Sequence, residues 1–265
     1  MNTNIYTPIQ TEVISIEIES AIEWTFRIKW EGTKPSPGQF FQLSIPLIGE
    51  APISVSGIGE NFIEMTIRNV GRVTESVFRL KPGDKIYLRG PYGNKFPIEK
   101  FHDRHLIIAA GGSGVAPVRG LINSIETNPE KVKQLTLLFG FRKPSAIIFK
   151  NDIERWSKSF PTLITVDEAE AGWNGKTGVI PQHLKELSIT DKSVCDIIIV
   201  GPPAMMRFTA LAYLELGFKT EQIWLSFERH MSCGVGKCGH CKIDNVYVCL
   251  DGPIFNYEKA RHLVD

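Results

Sequence analysis

Four of the five cysteines of this chain are gathered between Cys233 and Cys249, in the spacing Cys233-x4-Cys238-x2-Cys241-x7-Cys249. The surrounding text, ERHMSCGVGKCGHCKIDNVYVCLDGPIF, is rich in glycine and too short to build its own hydrophobic core, so something other than apolar burial must stabilise it. The first three cysteines match the C-x4-C-x2-C…C arrangement of a plant-type [2Fe–2S] cluster, in which four thiolates converge on two irons. Gly234, Gly236 and Gly239 lack Cβ, which lets a loop wrap tightly and turn backbone N–H groups towards cluster sulfurs. Structural zinc is a rival, but it usually takes two C-x2-C or Cys/His pairs. Only Cys238 and Cys241 make such a pair here, with His230 and His240 as further donors. A disulfide is the other rival. The metal-ligand candidates are therefore Cys233, Cys238, Cys241 and Cys249. Cys195, which opens CDIIIV, is read as a buried, inert thiol.

Apolar residues make up 43% and charged residues 22% of the 265, which excludes disorder, collagen and coiled coil as descriptions of the whole chain. Thirty basic residues stand against 29 acidic ones, a balance that calls for neither nucleic acid nor an anionic membrane surface. No run approaches the roughly 20 apolar residues of a membrane span. The opening MNTNIYTPIQTEVISIE lacks the basic-then-apolar plan of a signal peptide. A cytoplasmic, reducing compartment is the expectation, and it disfavours disulfides.

The chain changes character twice. Up to about residue 100, apolar residues alternate with polar ones: Ile14, Ile16 and Ile18; Trp24, Phe26, Ile28 and Trp30; Ile63, Met65 and Ile67. Period two predicts half-buried strands. Pro37-Gly38, Gly57 to Gly59 and Pro82-Gly83-Asp84 separate them, so residues 1–100 are expected to form a small antiparallel β barrel. From Leu106 the texture becomes continuous apolar runs, LIIAA, LTLLF, TLITV, DIIIV and QIWLS. Helical stretches such as PVRGLINSIE, KNDIERW, PQHLKEL and AMMRFTALAYLELG lie between most of them. That alternation predicts a five-stranded parallel α/β sheet over 101–226, a nucleotide-binding type of domain with its ligand at the carboxyl ends of the strands. Residues 227–265 form the cluster-binding segment.

Two turns suit a nucleotide. LIIAAGGSGVAP reads strand, turn, helix; Gly112-Ser113-Gly114 permits close backbone approach, and a helix from about Ala116 would aim its N-terminal amides at a pyrophosphate. Pro117 stands where the common dinucleotide fingerprint has its third glycine, and LTLLFGFRK ends without the acidic ribose ligand. A second turn, Gly201-Pro202-Pro203, follows DIIIV. In the barrel half, Arg68 at a strand end, the Gly71 turn and Thr74 at a helix start suit a phosphate.

In this order and spacing, the barrel, GGSGVAP, GPPAMM and the cysteine cluster resemble the ferredoxin–NADP reductase superfamily, narrowed to electron-transfer subunits related to that of dihydroorotate dehydrogenase. GEAPISVS, IRNVGRVT, LRGPYGN, GGSGVAPV, QIWLSFERHMSCGVGKCGHC and VYVCLDGPIFNY are similar to the B subunits of anaerobic sulfite reductases. The resemblance implies FAD on the barrel, a nicotinamide nucleotide on the second domain and one [2Fe–2S] cluster. By the same resemblance, Pro52, Ile53 and Ser54 line the isoalloxazine, and Thr66, Ile67, Arg68, Val73 and Thr74 hold the ribityl and phosphate portions. Gly111, Gly112, Gly114 and Pro117, with Gly201, Pro202 and Met205, frame the nicotinamide nucleotide. Ala51 stands where the superfamily usually has a phosphate-binding arginine, leaving Arg68 and Arg72 to compensate. Val200 stands where many relatives have cysteine.

The expected route runs from NADH to FAD, then singly to the cluster and outward. A flavin converts between paired and single electrons, so no acid–base residue is nominated. NADH is expected over NADPH, because Asp167, Glu168 and Glu170 after TLITV would repel a 2′-phosphate. Arg142 and Lys143 argue the other way. With four cysteines committed to one cluster, the terminal acceptor must lie on another polypeptide. The resemblance names an iron–sulfur subunit and a sirohaem-bearing subunit that reduces sulfite to sulfide. Dihydroorotate dehydrogenase, a hydrogenase or free ferredoxin are alternative acceptors. A nucleotide sensor with structural zinc is the alternative of a different class.

Overall fold

The computed structural model describes residues 4–263; the outermost residues of the expected first and third segments, 1–3 and 264–265, lie outside it. The chain divides into two compact units. One runs up to Phe96 and takes in Phe227–Pro253; the other is Pro97–Ser226 with the chain from Ile254 on. The segment expected as one piece from residue 227 is thus shared out at Pro253.

In the first unit, strands β1 (Ile9–Ile18), β2 (Glu23–Lys29), β3 (Phe40–Ile45), β4 (Gly49–Ile58), β5 (Phe62–Arg68) and β6 (Lys85–Tyr92) close a barrel in the order β1-β2-β5-β4-β3-β6. Every pairing is antiparallel. Closure leaves no free sheet edge. The inward positions are those that the period-two pattern marks: Phe26, Ile28, Ile63, Met65 and Ile67 are buried, together with Phe41 and Leu43. Each such side chain contributes about 1.5–3 kcal/mol on burial. The first strand departs from the expectation. Ile14 and Ile18 are exposed and Val13 is the buried residue. A register shift between Val13 and Ser15 breaks the alternation that the isoleucines suggest. Gly57 likewise lies inside β4, at a second register shift, so the turn comes after Ile58. Helix α1 (Arg72–Val77) packs Val77 into the same core.

The second unit contains β7 (His105–Gly111), β8 (Gln134–Phe141), β9 (Thr162–Val166), β10 (Lys176–Thr177), β11 (Cys195–Val200) and β12 (Ile223–Ser226). These are parallel, with α2 (Val115–Thr127), α3 (Lys150–Ser159), α4 (Ile180–His183) and α5 (Pro203–Glu215) in the connections. β7 and β11 are buried at every residue, as expected for central strands covered on both faces. All five expected strands are present, and the sheet has two more. One is β10, two exposed residues with no apolar run to announce it. The other is an antiparallel strand contributed after the cysteines. From β7 the chain builds outward through β8, β9 and β10, then returns to the other side of β7 with β11. The strand order reverses between β7 and β11, where open α/β sheets place their ligands.

The cysteine segment holds a short hairpin, β13 (Lys242–Ile243) with β14 (Val246–Tyr247), and a single helical turn, α6 (Val248–Asp251). It ends in β15 (Ile254–Asn256), which pairs antiparallel with β12 and covers that sheet edge. Among the described residues no helix is long and apolar enough to cross a membrane.

Candidate functional site

The loop from Cys233 to Cys241 is wound by Gly234, Gly236 and Gly239, whose φ values of 77°, 70° and 82° are strained for other residues. The winding turns amides onto sulfur. Cys233 Sγ accepts from the N–H groups of Val235, Lys237 and Cys238, at 3.3–3.4 Å. Cys249 Sγ accepts from Gly236 N–H at 3.1 Å, and Cys241 Sγ from Cys249 N–H at 3.4 Å. Burial opposes ionisation of Cys233, yet these amides and the neighbouring Cys238 thiol outweigh it and pull its thiol well down. Burial pushes Cys249 up, with the Cys241 thiol beside it adding to the effect. The N–H of Cys238 meets Cys233 Sγ and that of Cys249 meets Cys241 Sγ, so the four residues stand as two neighbouring pairs.

All four cysteines expected as ligands come together in this way, and none is in a disulfide. A lone tetrahedral ion needs its donors around one point. Among the described residues, no group of three or more His, Cys, Asp or Glu side chains is arranged to hold one metal ion. His230 and His240, the further zinc donors considered, are exposed. Two thiol pairs ringed by amides fit an iron–sulfur group with more than one metal. Cys238 is the exposed member, whereas Cys241 and Cys249 are buried.

The barrel wall beside this loop carries the residues expected to hold a flavin. Alternation along β4 sends Ile53 inward to the core and leaves Pro52 and Ser54 on the outer face. On β5, Ile67 is likewise a core side chain, while Thr66 and Arg68 face outward. Thr66 joins a row of hydroxyls with Thr25 and Ser56, each contact 2.9 Å. Arg68 Nε lies 3.4 Å from Glu23, so part of the charge expected to offset Ala51 is already matched by a carboxylate. Arg72 is exposed at the start of α1. Val73 packs against the barrel core. The Thr74 hydroxyl accepts from the N–H groups of Val70 and Gly71 and donates to Gly71 O, so it shapes the turn.

A buried polar group in this wall was not singled out from the sequence. Arg89 on β6 pairs with Glu50 and donates to the carbonyls of Ser232 and Cys233. Its motif, LRGPYGN, is visible in the text. Its partners come from segments far apart in the chain, which only strand register brings together.

In the second unit, the expected nucleotide residues meet at the carboxyl ends of β7 and β11. A Cβ on Gly114 would lie 2.5 Å from Val200 O and 2.9 Å from Gly201 Cα, so only glycine lets these two turns approach. A Cβ on Gly111 or Gly201 would meet the Met205 side chain, and Gly112, with φ 55°, has open space where a Cβ would be. Pro117 is buried in the first turn of α2, and Pro202 caps α5. Neither helix start has a side-chain cap, which leaves N–H groups available to an anion. After β9, Glu168 and Glu170 engage the basic pair after β8: Arg142 with Glu168 at 4.0 Å and Lys143 with Glu170 at 3.6 Å. The hydroxyl and N–H of Ser145 hold the Glu170 carboxyl below its ordinary range, helped by Lys143.

A parallel sheet with glycine turns at its switch point, a closed barrel and a thiol-rich loop define the class: a ferredoxin reductase-like, NAD(P)H-dependent flavin and iron–sulfur oxidoreductase. Residues 108–210 match the family described as oxidoreductase NAD-binding domain, and residues 228–261 the iron–sulfur cluster binding domain of dihydroorotate dehydrogenase B. The chain is 34% identical over 267 residues to sulfhydrogenase 1 subunit gamma of Pyrococcus furiosus, covering 96% of this chain and 88% of that one. It is 33% identical over 236 residues to a probable dihydroorotate dehydrogenase B (NAD(+)) electron transfer subunit of Thermococcus kodakarensis, covering 88% and 90%. Among solved structures, an NADH-dependent reduced ferredoxin-NADP oxidoreductase superposes with a TM-score of 0.80 at 26% identity, covering 97% of this chain and 90% of that one. A ferredoxin NADP+ reductase from Neisseria gonorrhoeae with bound FAD and NADP shares the fold, with a TM-score of 0.72 at 21% identity, covering 83% and 98%. The chain belongs to the family of electron-transfer subunits that includes those of dihydroorotate dehydrogenase B and the sulfhydrogenase gamma subunits.

Proposed function

We propose that this chain takes electron pairs from NADH, divides them at an FAD held on the barrel, and passes single electrons through a [2Fe–2S] cluster to a partner subunit. The observation that carries this is the juxtaposition of Cys233 with Cys238 and of Cys241 with Cys249, their sulfurs accepting from N–H groups turned inward by the glycine-wound loop. Two thiolates per iron is what a binuclear cluster requires, and amide donors stabilise its negative charge. When bound, the flavin supplies the conversion from paired to single electrons.

The residues divide the work. Gly111, Gly112, Gly114, Pro117, Gly201, Pro202 and Met205 shape a backbone cradle that orients the nicotinamide nucleotide, with helix N–H groups on its phosphates. Pro52 and Ser54 form the wall for the isoalloxazine, with Ile53 fixing that wall from inside the barrel. Thr66, Ile67 and Arg68, with the α1 turn built by Val73 and Thr74, hold the rest of the flavin. No side chain is assigned an acid–base role; a hydrogen received as hydride would leave the bound flavin as a proton once both electrons have departed, and water would take it. Carboxylates at Glu168 and Glu170 favour NADH by repelling a 2′-phosphate and by occupying Arg142 and Lys143.

The long, nearly full-length similarity to a sulfhydrogenase gamma subunit and to dihydroorotate dehydrogenase electron-transfer subunits favours an acceptor of those kinds. An assembly with iron–sulfur and sirohaem-bearing subunits that reduces sulfite is the second reading. It is kept for the motifs GEAPISVS and QIWLSFERHMSCGVGKCGHC. Anaerobic purification from the native source, with flavin, iron and acid-labile sulfide analysis, tests the relay. The expected content is one FAD, two irons and two sulfides per chain; a colourless protein with one zinc would point to the sensor instead. Assaying the co-purified complex for NADH-driven reduction of sulfite, protons or orotate then identifies the acceptor.

A further inference from the structure

Arg89 is only 5% exposed, and its guanidinium is used in several directions. Nε and Nη2 hold the Glu50 carboxylate at 3.0 and 2.5 Å. Nη1 donates to Cys233 O at 2.6 Å and Nη2 donates to Ser232 O. Nη1 also reaches Tyr92 Oη at 3.4 Å. Glu50 is fixed in turn by the Ser44 hydroxyl at 2.5 Å. An ion pair with one buried partner, as here, is weak evidence for stability, since apolar residues of similar volume often serve as well. What distinguishes this one is direction: its cationic end is turned to the backbone of the first ligand residue.

The surrounding wall points the same way. Arg89 faces Gln42 across β6 and β3, and Gln42 faces Pro52 across β3 and β4. Arg89 thus lies two strands, roughly 10 Å, from the wall proposed for the flavin ring. Gln42 is fully buried, and neither its amide oxygen nor its nitrogen has a hydrogen-bond partner among the described residues. That strip of barrel keeps polar atoms that the described residues do not satisfy.

The geometry points to Arg89, with Glu50 as its counter-charge, as the positioning residue that fixes the Ser232–Cys233 backbone and sets how readily the cluster accepts an electron. This rests on the cluster reading above. A thiolate-ligated iron cluster is anionic and becomes more so on reduction. A nearby cation therefore favours the reduced form and raises the potential, and an anion lowers it. Glu50→Gln removes the anion and leaves a hydrogen-bonding amide for Arg89. Arg89→Gln removes the cation and the fork that holds the loop. Arg89→Lys returns the charge without the planar, multi-directional geometry.

The test is a redox titration of the anaerobically purified holoprotein followed by electron paramagnetic resonance, with iron and sulfide measured per chain. Glu50→Gln should retain full iron with a raised cluster potential. Arg89→Gln should lower both potential and iron content. Arg89→Lys should bring the potential back towards wild type while iron content stays low. A loop merely held in place would show no such opposed shifts. A Glu50→Gln protein with full iron and an unchanged or lowered potential overturns the assignment, whether or not the Arg89 variants fold. So does an Arg89→Lys potential no nearer wild type than that of Arg89→Gln. Wild-type protein without iron or sulfide overturns the cluster reading and this inference together.

Discussion

Gly112 and Gly114 belong to one turn but are required for different reasons. A methyl group on Gly114 meets the backbone of Val200 and Gly201, which cannot rotate away, so Gly114→Ala must push β7 and β11 apart. Overpacking of this kind costs about 1–3 kcal/mol, and the displaced turn should raise the KM for NADH by about tenfold or more. Gly112→Ala meets nothing, but it must hold a positive φ, at about 1–2 kcal/mol. It should lower the unfolding midpoint and change KM less. Urea unfolding with NADH–dye kinetics separates the two. His105 offers a pH signature. Burial holds its imidazole below the ordinary 6.5, with Nε2 2.8 Å from the Thr136 hydroxyl. Its contribution to stability is complete above the unfolded value. It is lost as pH falls towards the lower folded value, because the unfolded chain takes the proton first, at no more than about 1.4 kcal/mol per pH unit. Urea midpoints measured from pH 7.5 down to 5 should fall, and His105→Gln should flatten that slope. At this scale the gathering of the four cysteines was readable from sequence because their spacing is local. The fifth, Cys195, is buried and donates its thiol to Asp191 O, away from the others. Arg89 was not readable, because its meaning depends on partners in β4 and in the cysteine loop.

At the scale of elements, the proposed preference between nicotinamide nucleotides rests on the strand ends of β8 and β9. Arg142 and Lys143 looked like evidence for NADPH, and Glu168 and Glu170 like evidence against it. The sheet places both pairs at neighbouring strand ends, where Phe141 is in register with Val166, and they neutralise one another. Exposed pairs of this kind are worth little to stability, so their removal is tolerable. Glu168→Gln with Glu170→Gln should free the two cations for a 2′-phosphate. One charge-assisted bond is worth about 1.5–3 kcal/mol, so kcat/KM for NADPH should rise about tenfold or more while that for NADH changes little. Paired kinetics with the two nucleotides reads this directly, and no gain with NADPH would show that the nucleotide ribose lies elsewhere. Apolar runs announced the central strands correctly because both faces are buried. They misled in β1, where the bulge at Val13 changes which isoleucines face the core. They were silent for β10, whose two exposed residues bury no apolar side chain and join the sheet by pairing with β9.

For the whole molecule, the chain leaves the second unit after Ser226 and returns at Ile254, and those two residues are cross-strand partners in β12 and β15. The cysteine segment is therefore an excursion from one point of a sheet edge, packed as part of the barrel unit. The text turns glycine- and cysteine-rich near Phe227. Nothing marked Pro253 as its end, because β15 is three residues long and is defined by its partner strand. This topology implies that the nicotinamide cradle does not depend on the cluster ligands. Cys238→Ser removes an exposed thiol, proposed as a ligand, without changing a core side chain. It should reduce iron and sulfide per chain and abolish transfer to the partner subunit. Flavin content and NADH oxidation by a dye that draws on the flavin should remain within about twofold of wild type, since the flavin chemistry belongs to its own cofactor. Cys195→Ala is the control, with full iron and partner transfer and a stability loss of about 1 kcal/mol for a small buried side chain. Loss of dye reduction in Cys238→Ser, with flavin still bound, would mean that electrons reach the dye only through the cluster. The flavin would then be enclosed, and Cys238 would mark the single exit.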